Sequence, residues 1–198
     1  MGDGTFYRIV IDPLLVRPHK AAVAAIEKGA NILDIACGNG TLPLMYANKA
    51  SAVTGIDIDQ ESVLYAQSRV KEEDRDRIQF RVMDASDLGE FKDRQFTHSS
   101  ASMAMHQFSR ETALSVLEQM KRISDRIILV DYTFPLNKAF SGGVVRLIEK
   151  MAGTEHHAHF RDYLKHGGMK GLLDPLQLKP ERIHIDTNVF TVMEILSD

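Results

Sequence analysis

Cysteine is almost missing from this chain. Of its 198 residues only Cys37 carries a thiol, so no internal disulfide can form and no cysteine cluster can hold zinc. A reducing, cytoplasmic setting fits that usage best. Net charge is equally scarce. Twenty-four Lys and Arg set against 27 Asp and Glu leave a formal charge of -3. That is no global field for drawing in phosphate backbones, and nucleic acid is not expected as a partner. No apolar run approaches the roughly 18 residues that cross a bilayer. Residues 1–17 also lack a basic segment leading into a long apolar core. Neither a membrane span nor a signal peptide is therefore expected. Repeats and low-complexity tracts are absent as well.

What remains is ordinary globular material, 44% hydrophobic and 26% charged. A chain of 198 residues suits one full α/β core better than two small ones, so a single domain over 1–198 is expected. Short β-rich apolar runs at 31–36, 51–56, 78–83, 96–104 and 126–132 read as strands. Helical spacing fills 60–70, with Val63, Leu64, Ala66, Gln67 and Val70, and 112–123, with Ala113, Val116, Leu117, Met120 and Ile123. A further helix is expected at 18–27. Such βαβ alternation implies a parallel sheet covered on both faces. The end of the chain differs: runs at 182–186 and 189–196 are separated only by Thr187 and Asn188, as in an antiparallel hairpin. Residues 136–175 break the rhythm with Gly142, Gly143, Gly167 and Gly168 and a cluster of histidines and aromatics, and are expected to form a lid-like insertion.

The chemistry concentrates where strands end. The run Ile32-Leu33-Asp34-Ile35-Ala36-Cys37-Gly38-Asn39-Gly40-Thr41 is a strand, a turn of small residues and a helix start. Gly38 and Gly40 admit a ligand where side chains would collide with it. Amides at the helix start can face a carboxylate, and Asp34 can face an ammonium directly or through water. Together they suit a zwitterionic amino acid. Asp57 ends the second strand, where a carboxylate can accept both hydroxyls of a ribose, and Ile58 can cover an adenine face. Asp84 ends the third, placed to accept from an adenine amino group. A nicotinamide dinucleotide would also want glycines here, with Asp57 as the ribose acid. Against it, Pro43 stands where the third fingerprint glycine belongs, and Asp34 would crowd the pyrophosphate.

These motifs, in this order, resemble the class I S-adenosylmethionine-dependent methyltransferases, including the small-molecule branch with the ubiquinone and menaquinone biosynthesis enzymes. Asp34, Gly38 and Gly40 match the glycine-rich motif, Asp57 the ribose acid and Asp84 the adenine acid. The segment from Ser99 to Phe108 resembles the end of the fourth strand, where a histidine is common. One departure is Thr97, which follows Phe96 where the family often has aspartate. The resemblance implies a Rossmann-like, seven-stranded, mostly parallel sheet with helices on both faces and a C-terminal antiparallel hairpin. It also implies S-adenosyl-L-methionine as cofactor, S-adenosyl-L-homocysteine as product, and a small-molecule methyl acceptor. Ala36, Asn39, Ala85 and Ala101 are expected beside the cofactor, and Phe6 and Tyr7 are expected to close over it.

His106 is the candidate base or acceptor contact. On the lid, His157, Arg161 and Tyr163 are candidate substrate contacts. His157 and His159 lack the i, i+4 spacing of a helical metal site, so no metal is expected. The rival functions are a nicotinamide-dependent oxidoreductase and a non-catalytic cofactor-binding subunit of the same fold. Oligomeric state leaves no signature in the sequence.

Overall fold

A computed structural model describes residues 12–136, 154–186 and 189–197 of the chain. Seven strands form one sheet: β1 (Asn31–Ile35), β2 (Ala52–Asp57), β3 (Ile78–Val82), β4 (Phe96–Ser102), β5 (Ser124–Tyr132), β6 (Pro180–Asp186) and β7 (Phe190–Leu196), in the order β3-β2-β1-β4-β5-β7-β6. The first five are parallel, whereas β7 runs antiparallel to both β5 and β6. This is the predicted mixed sheet with its C-terminal hairpin. The hairpin turn at Thr187 and Asn188 lies outside the described residues. Strand order reverses beside β1, whose neighbours are β2 and β4, and such a switch point opens a crevice at the carboxyl ends of the strands.

The alternation of side chains along each strand divides the core. Leu33, Ile35 and Ile127 face one side and pack on helix α4 (Arg110–Ile123) through Ala113, Val116, Leu117 and Met120. Ile32, Val53, Ile128 and Val130 face the other. There they meet α1 (Asp12–Ala25) through Ala22, α2 (Thr41–Tyr46) through Leu42 and Tyr46, and α3 (Gln60–Ser68) through Val63 and Ala66. Helix α4 begins where Ser109 accepts from the Thr112 amide at 3.1 Å, a cap of about 1 kcal/mol.

Helix α1 starts earlier than the sequence suggests. Proline is favoured in a first turn, yet Pro18 lies inside this helix. It removes the donor for the Leu14 carbonyl, and Leu14 is exposed enough for water to replace it. Of the expected lid, the part from Thr154 onward is described. It forms α5 (Thr154–Lys165) and α6 (Gly168–Leu173), which pack Tyr163, Met169, Leu172 and Leu173 into the core on the α4 side. Residues 137–153, with Gly142 and Gly143, lie outside the described residues.

Candidate cofactor site

The turn after β1 is built from left-handed backbone. Ala36, Gly38 and Gly40 have φ of 54°, 51° and 76°. The Cys37 amide donates to the Ile56 carbonyl at 2.9 Å and the Gly40 amide to the Cys37 carbonyl at 3.0 Å, so the loop folds back over β2. The two glycines do different work. A Cβ on Gly40 would stand 2.8 Å from the Ala66 methyl and the Phe80 ring, so this glycine lets helix and strand close up. A Cβ on Gly38 would meet nothing within 4 Å, so this glycine borders open space. Asn39, expected beside the cofactor, accepts from the Thr41 amide at 3.1 Å and the Thr41 hydroxyl at 2.7 Å, a local side-chain turn just before α2.

Each of the three acids sits at a strand end, and each is held differently. Asp34 is 1% exposed and accepts from the Ser100 hydroxyl. Burial pushes its carboxyl up to about 7. The Ser100 bond opposes that rise and the Asp57 charge adds to it. Asp57 takes the Gly38 amide on one oxygen at 2.7 Å and the Asp59 amide on the other at 2.9 Å. Asp59 caps α3 through the Ser62 amide. Asp84 is exposed and accepts from the Ser86 amide at 2.8 Å and its hydroxyl at 2.7 Å, bonds that hold its carboxyl below the usual range. Ile58 is 70% exposed, a large apolar side chain left in water at the mouth of the crevice. Ala85 and Ala101 are buried in the core beneath. Burial raises the Cys37 thiol well above its usual range, which keeps it an inert, protonated neighbour.

Across the switch point, β4 is followed by another left-handed residue without glycine's freedom, Met103 at φ 56°, whose amide donates to the Val130 carbonyl at 2.7 Å. The chain then turns through Met105–Gln107 and buries His106, which is 1% exposed. Its Nδ1 lies 2.6 Å from Asp131 at the end of β5. Asp131 also accepts from the His106 amide at 3.3 Å and the Tyr132 amide at 2.7 Å. Tyr132, Phe160 and Tyr163 surround the imidazole at ring-centre distances of 4.8, 5.9 and 6.3 Å. Tyr163 donates its hydroxyl to the Tyr132 carbonyl at 3.3 Å, and burial raises its phenol well above the usual range. Thus His106 and Tyr163 are brought together. Arg161 is exposed and His157 half-buried, and neither joins that ring cluster. His159 instead reaches back, donating from Nδ1 to the Gln107 carbonyl at 2.8 Å. Tyr7 lies outside the described residues. Sequence reading missed Ser100, Asp131 and Phe160, whose partners are distant in the chain. Among the described residues no group of three or more His, Cys, Asp or Glu could hold a metal ion, and no helix is long and apolar enough to cross a membrane.

Known proteins resemble this chain in sequence and in fold. The profile of a family described as a methyltransferase domain matches residues 32–125, from β1 into the start of β5. The Bacillus subtilis protein YqeM is 40% identical over 47 residues, 24% of this chain but only 19% of that protein. The chain therefore spans about a fifth of this curated relative. Magnesium protoporphyrin IX methyltransferase from Synechocystis PCC 6803, solved with bound SAH, superposes with a TM-score of 0.64 at 20% identity, over 91% of this chain and 82% of that one. The PH0226 protein of Pyrococcus horikoshii OT3 superposes at 0.70 and 15% identity, over 97% and 98%. Sheet order, the glycine turn, the strand-end acids and these likenesses together give the chain the fold of the class I S-adenosylmethionine-dependent methyltransferases.

Proposed function

We propose that this chain transfers a methyl group from S-adenosylmethionine to a small-molecule acceptor. The observation that carries the reading is the Asp57–Gly38 bond, which ties a strand-end carboxylate to a glycine bordering open space. The residues fit the cofactor. Asp34 suits its ammonium and the remaining lone pairs of Asp57 its ribose hydroxyls. Of the amides expected to face its carboxylate, those of Gly38, Gly40 and Thr41 are bonded within the turn and to Asp57. Ile58 offers an apolar cover for adenine and Asp84 an acceptor for the adenine amino group. Tyr7, Ala36, Asn39, Ala85 and Ala101 complete the proposed contacts. When bound, S-adenosylmethionine supplies a methyl already activated by the positive sulfonium, leaving S-adenosylhomocysteine. What the protein adds is orientation and exclusion of water, which can lower the barrier by roughly 7 to 11 kcal/mol.

The acceptor is assigned to the β4–β5 side. With Nδ1 donating to Asp131, the basic nitrogen of His106 is Nε2, suited to take a proton from a phenol or a carbon acid. Tyr163 lies beside it, and His157 and Arg161, on the same helix, are proposed contacts for the outer part of the acceptor. The ubiquinone-like branch supplies candidates of this chemical kind. A nicotinamide cofactor is not favoured, because Asp34 lies buried directly before the turn where a pyrophosphate would sit.

Calorimetry with S-adenosylmethionine and with NAD tests the reading, and binding of the first alone is expected. Binding of NAD with no response to S-adenosylmethionine overturns it. Methyl transfer from labelled cofactor into fractionated metabolites then separates an enzyme from a binding-only subunit.

A further inference from the structure

Beneath the glycine turn lies a polar group that no motif flags. Ser100 and Asp34 are register partners on β4 and β1, 66 residues apart in the chain, and both are buried. The serine hydroxyl donates to the carboxyl, and the fully buried hydroxyl of Tyr46, from α2, stands beside that serine. The surroundings are apolar: Ile32, Leu42, Val53 and Val130 belong to the same face of the core. A carboxylate there loses most of its hydration, and one hydroxyl donor restores only part of it. Among the described residues, the ionisable groups around it give no positive charge. Asp57 on β2 repels, the Cys37 thiol and the Tyr46 phenol stay protonated, and His19 of α1 is neutral and bonded to Ser102 at 2.9 Å. A ligand's cation would supply what these described residues do not.

We propose that Ser100 is a positioning residue for the amino acid end of the cofactor, aiming and holding the Asp34 carboxyl so that it meets the cofactor's ammonium. The proposal rests on the S-adenosylmethionine reading and adds to it a residue that acts through Asp34. It carries a proton consequence. A carboxyl whose affinity for its proton is raised to near neutrality by burial releases that proton when an ammonium arrives, so affinity rises with pH through this range. Removing the serine donor moves the rise to higher pH, because the ionised carboxyl loses its one side-chain hydrogen bond.

The test compares two ligands that share the adenosine and thioether but differ in the amino acid: S-adenosylhomocysteine and 5′-methylthioadenosine. Titrations of the full chain across the neutral range, with Ser100→Ala and Ser100→Thr, are expected to show three things. Ser100→Ala loses about tenfold in affinity for S-adenosylhomocysteine at neutral pH, a loss that narrows as pH rises. It binds 5′-methylthioadenosine as the parent does, and Ser100→Thr recovers the parental profile. Ser100→Cys, of similar volume and a weak donor, gives the same comparison if the alanine variant does not fold. Equal weakening toward both ligands, a loss independent of pH, or no loss at all overturns the proposal while leaving the cofactor reading intact. A parent chain that binds neither ligand sinks both.

Discussion

The two sides of the switch point treat polar side chains in opposite ways. On the β2–β3 side, Asp57, Asp59 and Asp84 lie near the surface and bond to amides within a few residues or in the adjoining glycine turn. On the β4–β5 side, Ser100, Ser102, His106 and Asp131 are sunk into the core or against it, and bond to side chains far away in sequence. The first side offers open lone pairs to a ligand on a backbone that needs little tertiary help. The second spends its polar groups on one another, so its geometry depends on the whole fold. Binding chemistry and folding stability should accordingly separate when each side is mutated.

The largest expected effect is on the buried side. Asp131→Ala strips the carboxylate from a buried imidazole and from two amides, and should cost about 3 to 5 kcal/mol of stability. Urea unfolding measures it. A cost under about 1 kcal/mol would mean that this side is no more tightly coupled to the fold than the other.

Next comes a pH effect on the same side. Burial lowers His19 from 6.5 to about 4, so the folded chain binds this proton less readily than the unfolded chain. Stability from this group is therefore complete above about 6.5 and falls as pH drops toward 4, by about 3 kcal/mol in total. Asp34 runs the other way: its raised value favours the folded state less as pH climbs from 3.8 to about 7. His19→Gln should flatten the acid loss and leave the Asp34 trend, visible in melting temperatures across that window.

The glycine pair sharpens the contrast at closer range. Gly40→Ala forces a methyl against Ala66 and Phe80 in a left-handed turn and should cost about 2 to 3 kcal/mol of stability. Gly38→Ala has room, should cost about 1 kcal/mol, and should weaken cofactor binding out of proportion to that loss. Smallest in stability is Asp57→Ala, whose effect of about 1 to 3 kcal/mol is expected in cofactor affinity, read by calorimetry, with folding only mildly changed. Unchanged affinity removes the ribose assignment.

The same division explains what was legible in the sequence. Strand ends, glycine turns and the acids beside them are local events, so Asp34, Asp57 and Asp84 could be placed by reading along the chain, and the sheet followed from the βαβ rhythm. Asn39 was expected beside the cofactor, whereas its bonds to the Thr41 amide and hydroxyl two residues on were not foreseen. Pro18 disguised the start of α1, since proline marks a first turn and a tolerated interior position alike. The pairing of Ser100 with Asp34 arises from strand register, and that of His106 with Asp131 from the turn after β4 folding onto the end of β5; no single segment encodes either. The histidine-rich helix attracted attention by composition, yet Phe160 and Tyr163 are what α5 places against His106.

The insertion of β7 between β5 and β6 has a consequence for biosynthesis. Within the described residues β6 joins the sheet only through β7, and the far edge of β5 is covered by that same strand from Arg126 to Tyr132. A growing polypeptide on the ribosome therefore carries β5 with an unsatisfied flank until residue 196 has cleared the exit tunnel. The nascent domain must wait for β7 before this part of the sheet can close, and until then that flank is a target for chaperones or for a neighbouring chain.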